Sequence, residues 1–462
     1  MHTCLRRAAA SVAALAALTG CSDFLSAERA TKDPNLPAVA NRDQLFVGAQ
    51  ANIMAQQEGP IPMIACQWMQ QCAGVNGRFV EQQDSYSIQA STFDLPFSEV
   101  YSAGGLISLR AVQTIAQDEG DQVYLGIAQV LEALLIGTAA DVWGDIPYSE
   151  ALTDNPEGTP FDEQMQIYTD LQTLLDEAIT NIGGAGAGPG PADLFFGSSS
   201  LATQKAQWIE VARTLKARFH LHTAEVLGAP AYASARTAAL GGISSAANDF
   251  RTTHSAATSE RNMWVQFQNT SFGPDLVAGK RLVDLMLAQN DPRIDEYFQE
   301  NELGGYGGFD VTTGTTPGNQ ISPLLGDVRA APDFRQPIVT WEETQLILAE
   351  ANYQIAGGGA AGIAAAQPFL DAVRSAHGKL SVPATLQAVV EEKYISMFQT
   401  IEPWNDWKRT CLPTLTPALG RPAIPGRLYY GQTEEQTNPN NTPPSSEQNL
   451  FTVRNDNDPN GC

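Results

Sequence analysis

The residues best suited to acid–base or metal chemistry are five histidines, one of them within the first twenty residues, and their spacing supplies little of either. His220 and His222 stand two apart on a helical stretch, about 200° apart around its axis, too far for two ligands of one ion. His222 falls on the same face as Trp208 and Leu215 and reads as a packed core histidine. Asp141 and Asp145, within AADVWGDIPYSEAL, are a candidate acid and base pair for cleaving a glycosidic bond. The competing reading is that Gly144 ends a helix and that Asp145 or the Pro147 turn organises the exit. Asp456 to Gly461 match the first six positions of an EF-hand loop, a weak calcium candidate at Asp456, Asp458 and Asn460. The bidentate glutamate that such a loop needs does not follow, so a solvated, turn-rich tail is the favoured reading. There is no G-x-S-x-G, H-E-x-x-H or Walker loop.

Recognition chemistry is better served. Residues 59–97 carry Trp68, Phe79, Tyr86 and Phe93 beside Gln67, Gln70, Asn76, Arg78 and Asp84. Residues 241–336 carry Trp264, Phe267, Tyr306 and Phe309 beside Asn262, Gln266 and Asn269. A pyranose lays its apolar face on a flat ring, and its hydroxyls need side chains that both donate and accept. Both blocks are rich in Gly, Pro, Ser, Thr and Asn, and long irregular segments of that kind are usually functional. The alternative, that each ring caps the core beneath a long loop, stays open.

These blocks need a scaffold, and the periodicity points to helices. Apolar residues recur at three- and four-residue spacing over 122–140, 162–182, 205–227, 341–356 and 385–401, the last carrying Val389, Val390, Met397 and Ile401. Strand signals are few and short. The expected fold is mainly α, with helices docking as antiparallel pairs in one large domain over 41–462.

The first twenty residues read as an export signal, with Arg6 and Arg7 ahead of a short apolar run. Leu18-Thr19-Gly20-Cys21 fits a lipobox, so Cys21 is the expected site of lipidation and residues 21–40 a tether. No later stretch reads as a membrane span. Of the other cysteines, Cys66, Cys72, Cys411 and Cys462 suit disulfides in an exported chain. The local pairing, Cys66 with Cys72 and Cys411 with Cys462, is favoured, with free buried thiols as the alternative. Closing the second loop of about fifty residues would add about 4 kcal/mol on the chain-entropy model. With 51 acids against 27 bases, the net charge of −24 argues against general nucleic-acid binding and against basic-patch membrane attachment.

Several segments together resemble the SusD/RagB family of nutrient-binding outer-membrane lipoproteins, in its SusD-like branch. They are the Cys-Ser-Asp-Phe-Leu start (Cys21 to Leu25), AADVWGDIPYSEAL, FDEQMQIYTDLQTLLDEAI, WIEVARTLKARFHLH, QNDPRIDEYF, ETQLILAEANYQ, EPWNDWKRT and PGRLYYGQTEEQTN, in the family's order. The resemblance implies a TPR-like helical domain that binds an oligosaccharide, or a peptide, without catalysis. It also implies delivery to a TonB-dependent outer-membrane transporter, with the protein lipid-anchored at the cell exterior and no cofactor. Stretches corresponding to 59–97 and 241–336 contact ligand in the family, and by position Trp68, Arg78, Tyr86, Trp264 and Tyr306 are the expected ligand-binding residues. Trp143, Trp404, Trp407, Lys408 and Arg409 read as structural. A helical glycoside hydrolase or lyase using Asp141 and Asp145 is the alternative class.

Overall fold

Polar caps set where the helices begin. Asn41 accepts the Gln44 backbone N–H while the Gln44 side chain accepts the Asn41 N–H, a reciprocal capping box that opens α1 (Arg42–Glu58). The computed structural model describes residues 41–80, 86, 88–153, 158–440 and 451–462. The signal, the tether and Cys21 lie outside the described residues. After α1 come α2 (Pro60–Trp68), β1 (Cys72–Gly74), α3 (Asp94–Tyr101), α4 (Leu106–Asp118) and α5 (Gln122–Trp143), which is capped by Asp121. Then follow α6 (Gln164–Gly183), α7 (Leu201–His222, capped by Ser200), α8 (Ala229–Ala239), β2 (Phe250–Arg251), α9 (Met263–Gln268), β3 (Leu276–Ala278) and α10 (Lys280–Gln289). The chain continues through β4 (Pro337–Val339), α11 (Trp341–Ile355, capped by Thr340), α12 (Gly359–Ala376), α13 (Leu386–Ser396, capped by Thr385), α14 (Glu402–Thr410) and α15 (Gln432–Thr437).

The fold is mainly α, and its helices pack as antiparallel neighbours. Gln164 Nε2 donates to the Ala140 carbonyl at 2.8 Å and Asn181 Nδ2 to Gln129 Oε1 at 2.8 Å, so α6 runs back along α5. Lys205 Nζ donates to Gly184 O at 2.9 Å and Lys216 Nζ pairs with Asp176 at 2.5 Å, so α7 runs back along α6. Helices α8, α11 and α12 extend the series. Helix α5, with mean hydropathy 1.7, is long and apolar enough to cross a bilayer, yet 94% of its most apolar window is buried inside the protein. It is apolar all round because α1, α4, α6 and α7 pack on it. Gly137 on α5 lets α7 approach: a Cβ there would lie 2.1 Å from Cζ of Phe219.

Helix α7 stops at His222, and the apolar run that follows forms a separate short turn, Ala224–Leu227. The stretch 385–401 is not one helix. It ends at Ser396, Gln399 takes a left-handed conformation, and Pro403 starts α14, so Met397 and Ile401 lie in the break between two helices. The block 59–97 is less irregular than its composition suggests, because Pro60 initiates the apolar helix α2. The two blocks meet where β1 pairs antiparallel with β3, Cys72 opposite Ala278 and Gly74 opposite Leu276. Strand β2 pairs with β4. Cys66 is bonded to Cys72 and Cys411 to Cys462, with Cα separations of 5.2 and 5.3 Å.

A buried chain of charges joins these elements. His222 lies between two carboxylates, Nδ1 2.8 Å from Asp141 Oδ1 and Nε2 3.0 Å from Glu402 Oε2. Tyr168 donates to Asp141 Oδ1 at 2.6 Å. Arg218 sits 3.5 Å from Glu402, grips Glu343 through two contacts of 2.6 Å and donates to the Ile338 carbonyl at 2.7 Å. The chain therefore links α5, α6, α7, α11, α14 and β4. Burial alone would lower the His222 pKa, but Asp141 and Glu402 outweigh it and push it up to about 9, so the ring is an imidazolium donating to both carboxylates at neutral pH. Burial likewise opposes the charged form of Glu402, while Arg218 and His222 hold its carboxyl well below the usual range.

The C-terminal segment enters the same interior and is not a solvated tail. Asn455 Nδ2 donates to the Asp141 carbonyl at 3.0 Å, and Asn457 Nδ2 to the His222 carbonyl at 3.1 Å and to the Tyr168 hydroxyl at 3.2 Å. Both are buried, as is Asp458.

Two outcomes follow. Gly137→Ala forces the Phe219 ring aside and should cost about 1–3 kcal/mol, read as a lower melting temperature; an unchanged melt would mean the two helices tolerate a looser approach. His222→Gln leaves Asp141 and Glu402 without their cation and should cost about 3–5 kcal/mol. The folded pKa of His222 lies above the unfolded value of about 6.5, so its contribution is complete below that pH and is lost as pH rises through about 9. Burial pushes Asp458 up to about 7, so its effect falls at lower pH and is present in both proteins. Denaturant titrations across pH 6 to 9.5 should show the wild type weakening over the upper range and the variant much less; equal slopes would assign the linkage to another group.

Candidate ligand-binding site

The end of α5 and the chain that laces it build one wall of a recess. Gly144, at φ 84°, breaks the helix with a backbone that side-chain-bearing residues rarely adopt. Trp143 Nε1 donates to the Tyr429 carbonyl at 2.8 Å, Arg427 Nη2 to the Trp143 carbonyl at 2.6 Å and the Tyr430 hydroxyl to the Asp145 carbonyl at 2.6 Å. The turn beyond is clamped twice. Asp162 accepts the N–H groups of Tyr148 and Ser149, each at 2.8 Å, and Arg110 donates to the Tyr148 and Ala151 carbonyls, each at 3.0 Å.

Helix α3 supplies the opposite wall. Phe97 packs edge-on against Trp143 at 5.1 Å and Tyr430 at 5.9 Å, and Tyr101 leans on Phe97 at 5.5 Å. Helix α15 closes the third side: the Thr433 N–H donates to Asp94 Oδ1 at 2.7 Å, and Asn438 Nδ2 donates to the Thr159 carbonyl at 2.8 Å. The recess between them holds about 570 Å³. Its lining mixes apolar groups (Phe97, Tyr101, Ile107, Leu152) with polar ones (Asp94, Thr433, Glu434, Asn438). Ile107 and Leu152 are 49% and 43% exposed, an apolar rim open to solvent. The size and the mixture are those of small-ligand sites.

The Tyr101 hydroxyl, in this wall, is sealed from bulk water and has no hydrogen-bond partner among the described residues. A buried hydroxyl left unsatisfied costs about 1–3 kcal/mol. A ligand hydroxyl would relieve that cost once the phenol turns toward the recess, since the oxygen as it stands is out of reach of a water-sized group. Two roomier clefts, about 690 and 640 Å³, are lined chiefly by helix residues, and in each a pair of opposite charges is already joined, Lys216 with Asp176 and Arg110 with Glu132.

None of the five expected ligand-binding residues lines this recess. Trp68 and Trp264 are fully buried, and Tyr86 is 4% exposed. Trp68 packs edge-on against Tyr86 at 6.0 Å and Trp404 at 5.1 Å, because it ends the apolar helix α2 and not a loop. Trp264 lies in the first turn of α9, facing inward. These three rings are core, which corrects their assignment as surface contacts. Arg78 is exposed, its guanidinium 4.8 Å from the Phe79 ring, and Tyr306 is partly exposed, its hydroxyl donating to Asp295 at 2.8 Å. The sequence reading passed over Tyr101 and Glu434, although AADVWGDIPYSEAL and PGRLYYGQTEEQTN, two of the segments behind the family resemblance, converge here. It also passed over Phe272, 61% exposed and the one largely exposed aromatic ring among the described residues.

The polar clusters elsewhere are closed. Asp141, His222 and Glu402 place potential metal-ligand atoms within 4.8 Å of one another, but both ring nitrogens of His222 are taken by carboxylates, which makes an ion chain and not an open chelate. Asp141 is 2% exposed and Asp145 accepts the Gln164 N–H at 2.8 Å, so the two carboxylates do not face a cleft where a glycosidic bond could lie between them. The three calcium candidates have separate surroundings: Asp456 is exposed, Asp458 is buried, and Asn460 Nδ2 donates to Glu225 at 2.5 Å.

No curated protein matches the sequence. The SusD-like family model described as starch-binding associating with outer membrane matches residues 34–431. A SusD/RagB family protein from Bacteroides thetaiotaomicron superposes with a TM-score of 0.72 at 18% identity, covering 92% of this chain and 100% of that one. A second SusD-like protein from the same organism gives 0.69 at 20% identity, covering 86% and 93%. A chitin-binding SusD homologue from Flavobacterium johnsoniae gives 0.67 at 17% identity, covering 85% and 93%. The matched span takes in α1 to α14 and stops just before α15, the third side of the recess, and the chain belongs to the SusD-like family.

Proposed function

We propose that the protein is a lipid-anchored nutrient-binding protein of the outer-membrane surface, which captures an oligosaccharide and passes it to a TonB-dependent transporter. A peptide is the second ligand class. The observation that carries the binding half is the recess of about 570 Å³ with an apolar rim, several neutral polar groups and a stranded tyrosine hydroxyl. The family description as starch-binding, and the chitin-binding homologue, support a glycan as the ligand class. Arg78, Tyr306 and Phe272 are proposed as outlying contacts, because each offers an exposed or partly exposed polar or aromatic group on the loop blocks. The lipobox at Cys21 supports the anchor, and residues 21–40 would give it slack. Binding without turnover is the reading for the recess, with no catalytic residue assigned.

Tyr101→Phe tests the recess. Removing an unsatisfied hydroxyl should leave the melting temperature unchanged or raised, while affinity for a bound oligosaccharide from a glycan panel falls about three- to tenfold. Unchanged affinity would take Tyr101 out of the site. For the delivery half, pull-down of the native lipoprotein should bring with it a large β-barrel transporter; its consistent absence would leave a binding protein that acts alone.

A further inference from the structure

This inference rests on the recess being a ligand site and adds the charge class of its occupant. Among the described residues two carboxylates line the recess, Asp94 and Glu434, both half-buried, and no lysine, arginine or histidine does. Asp94 accepts the Thr433 N–H at 2.7 Å and Glu434 accepts Asn438 Nδ2 at 2.7 Å, both neutral donors, and neither carboxylate has an ion-pair partner among the described residues. Asp162 adds a third negative charge behind the Tyr148 turn. The Arg110 guanidinium is committed to Glu132 and to two carbonyls of that turn, and Arg427 to the Trp143 carbonyl and the Tyr430 ring, and neither lines the recess. Burial does most to push the Tyr101 hydroxyl pKa upward, and Glu434, Tyr430 and Asp162 add to it against a smaller effect of Arg110. The net charge of −24 offers no long-range compensation.

We infer that the recess accepts neutral or amino-bearing sugars and rejects uronates and sulfated glycans. A ligand carboxylate placed here meets two like charges in a half-buried, partly water-excluded setting, where repulsion is stronger than in bulk water. The expected discrimination is at least about tenfold between sugars of equal length and linkage that differ only in charge.

The test is an array of neutral, amino-bearing, uronate and sulfated oligosaccharides, read for the full chain, for Tyr101→Phe and for Asp94→Asn with Glu434→Gln. Glu434→Gln alone serves if the double variant does not fold. Wild type should bind neutral or amino-bearing members. Its preference over acidic ones should shrink as sodium chloride is raised from 0.05 to 0.5 M, an arm that needs no variant. The charge-neutralised variant should raise the ratio of acidic to neutral binding at least tenfold. Uronates bound as well as neutral sugars by the wild type would overturn the charge inference and leave the site standing. Binding of any class that neither variant alters would place the ligand elsewhere and overturn both, as would an array with no binding at all.

Discussion

An imidazolium held between two buried carboxylates is the interaction on which the rest of this structure depends. Removing charges from water is costly, and the cost is recovered only when geometry is good and the remaining lone pairs are used. Here they are. Asp141 takes the His222 ring and the Tyr168 hydroxyl, Glu402 takes the other face of the ring and lies beside Arg218, and Arg218 spends its remaining donors on Glu343 and a carbonyl of β4. Apolar packing would hold helices together in many registers. This chain of partners allows few, since sliding any one helix by a turn would strand a buried charge. A second cluster does the same for the later helices, where Asp291 and Glu392 share Arg293 and Lys379 and Glu392 also holds Arg374.

The recess inherits its geometry from that lock. Asp141 lies two residues before Trp143, whose indole and carbonyl tie the 427–430 segment to the end of α5. Through Tyr430 and Phe97 the same aromatic contacts reach α3 and so the tyrosine whose hydroxyl is left over. The stranded hydroxyl is thus packed behind the same aromatic contacts that fix the wall. Buried polar groups in a native protein are nearly always satisfied, and an exception at a cavity wall is informative for that reason.

Four of the long helices, α5, α6, α7 and α11, were legible because periodicity is local, and the caps that the structure shows fit it. Asp121, Ser200, Thr340 and Thr385 each stand just before an amphipathic or apolar run and each caps it. The split after Ser396 was not, because it turns on one left-handed glutamine whose apolar neighbours keep the helical spacing on both sides. Trp68 and Trp264 were misplaced for the converse reason: Gly, Pro and Ser around them suggested loops, while short apolar helices carry both rings inward. The ion chain was invisible to spacing, since His222 finds partners 81 residues before it and 180 residues after it. The recess was half visible. Its walls were flagged by the segments that resemble the SusD-like family, but only tertiary folding brings 94–107, 147–159 and 431–438 around one space.

The burial of Asn455 and Asn457 fixes an order of events for a chain delivered from its N-terminal end. Asn455 completes the hydrogen bonding of Asp141 from 314 positions away, and Asn457 completes that of the His222 carbonyl from 235. The charged interior is therefore sealed only when residues 455–458 dock, whatever the helix pairs do before then. A chain clipped before residue 455 loses both donors, and the carbonyls of Asp141 and His222 then face an unfilled polar centre.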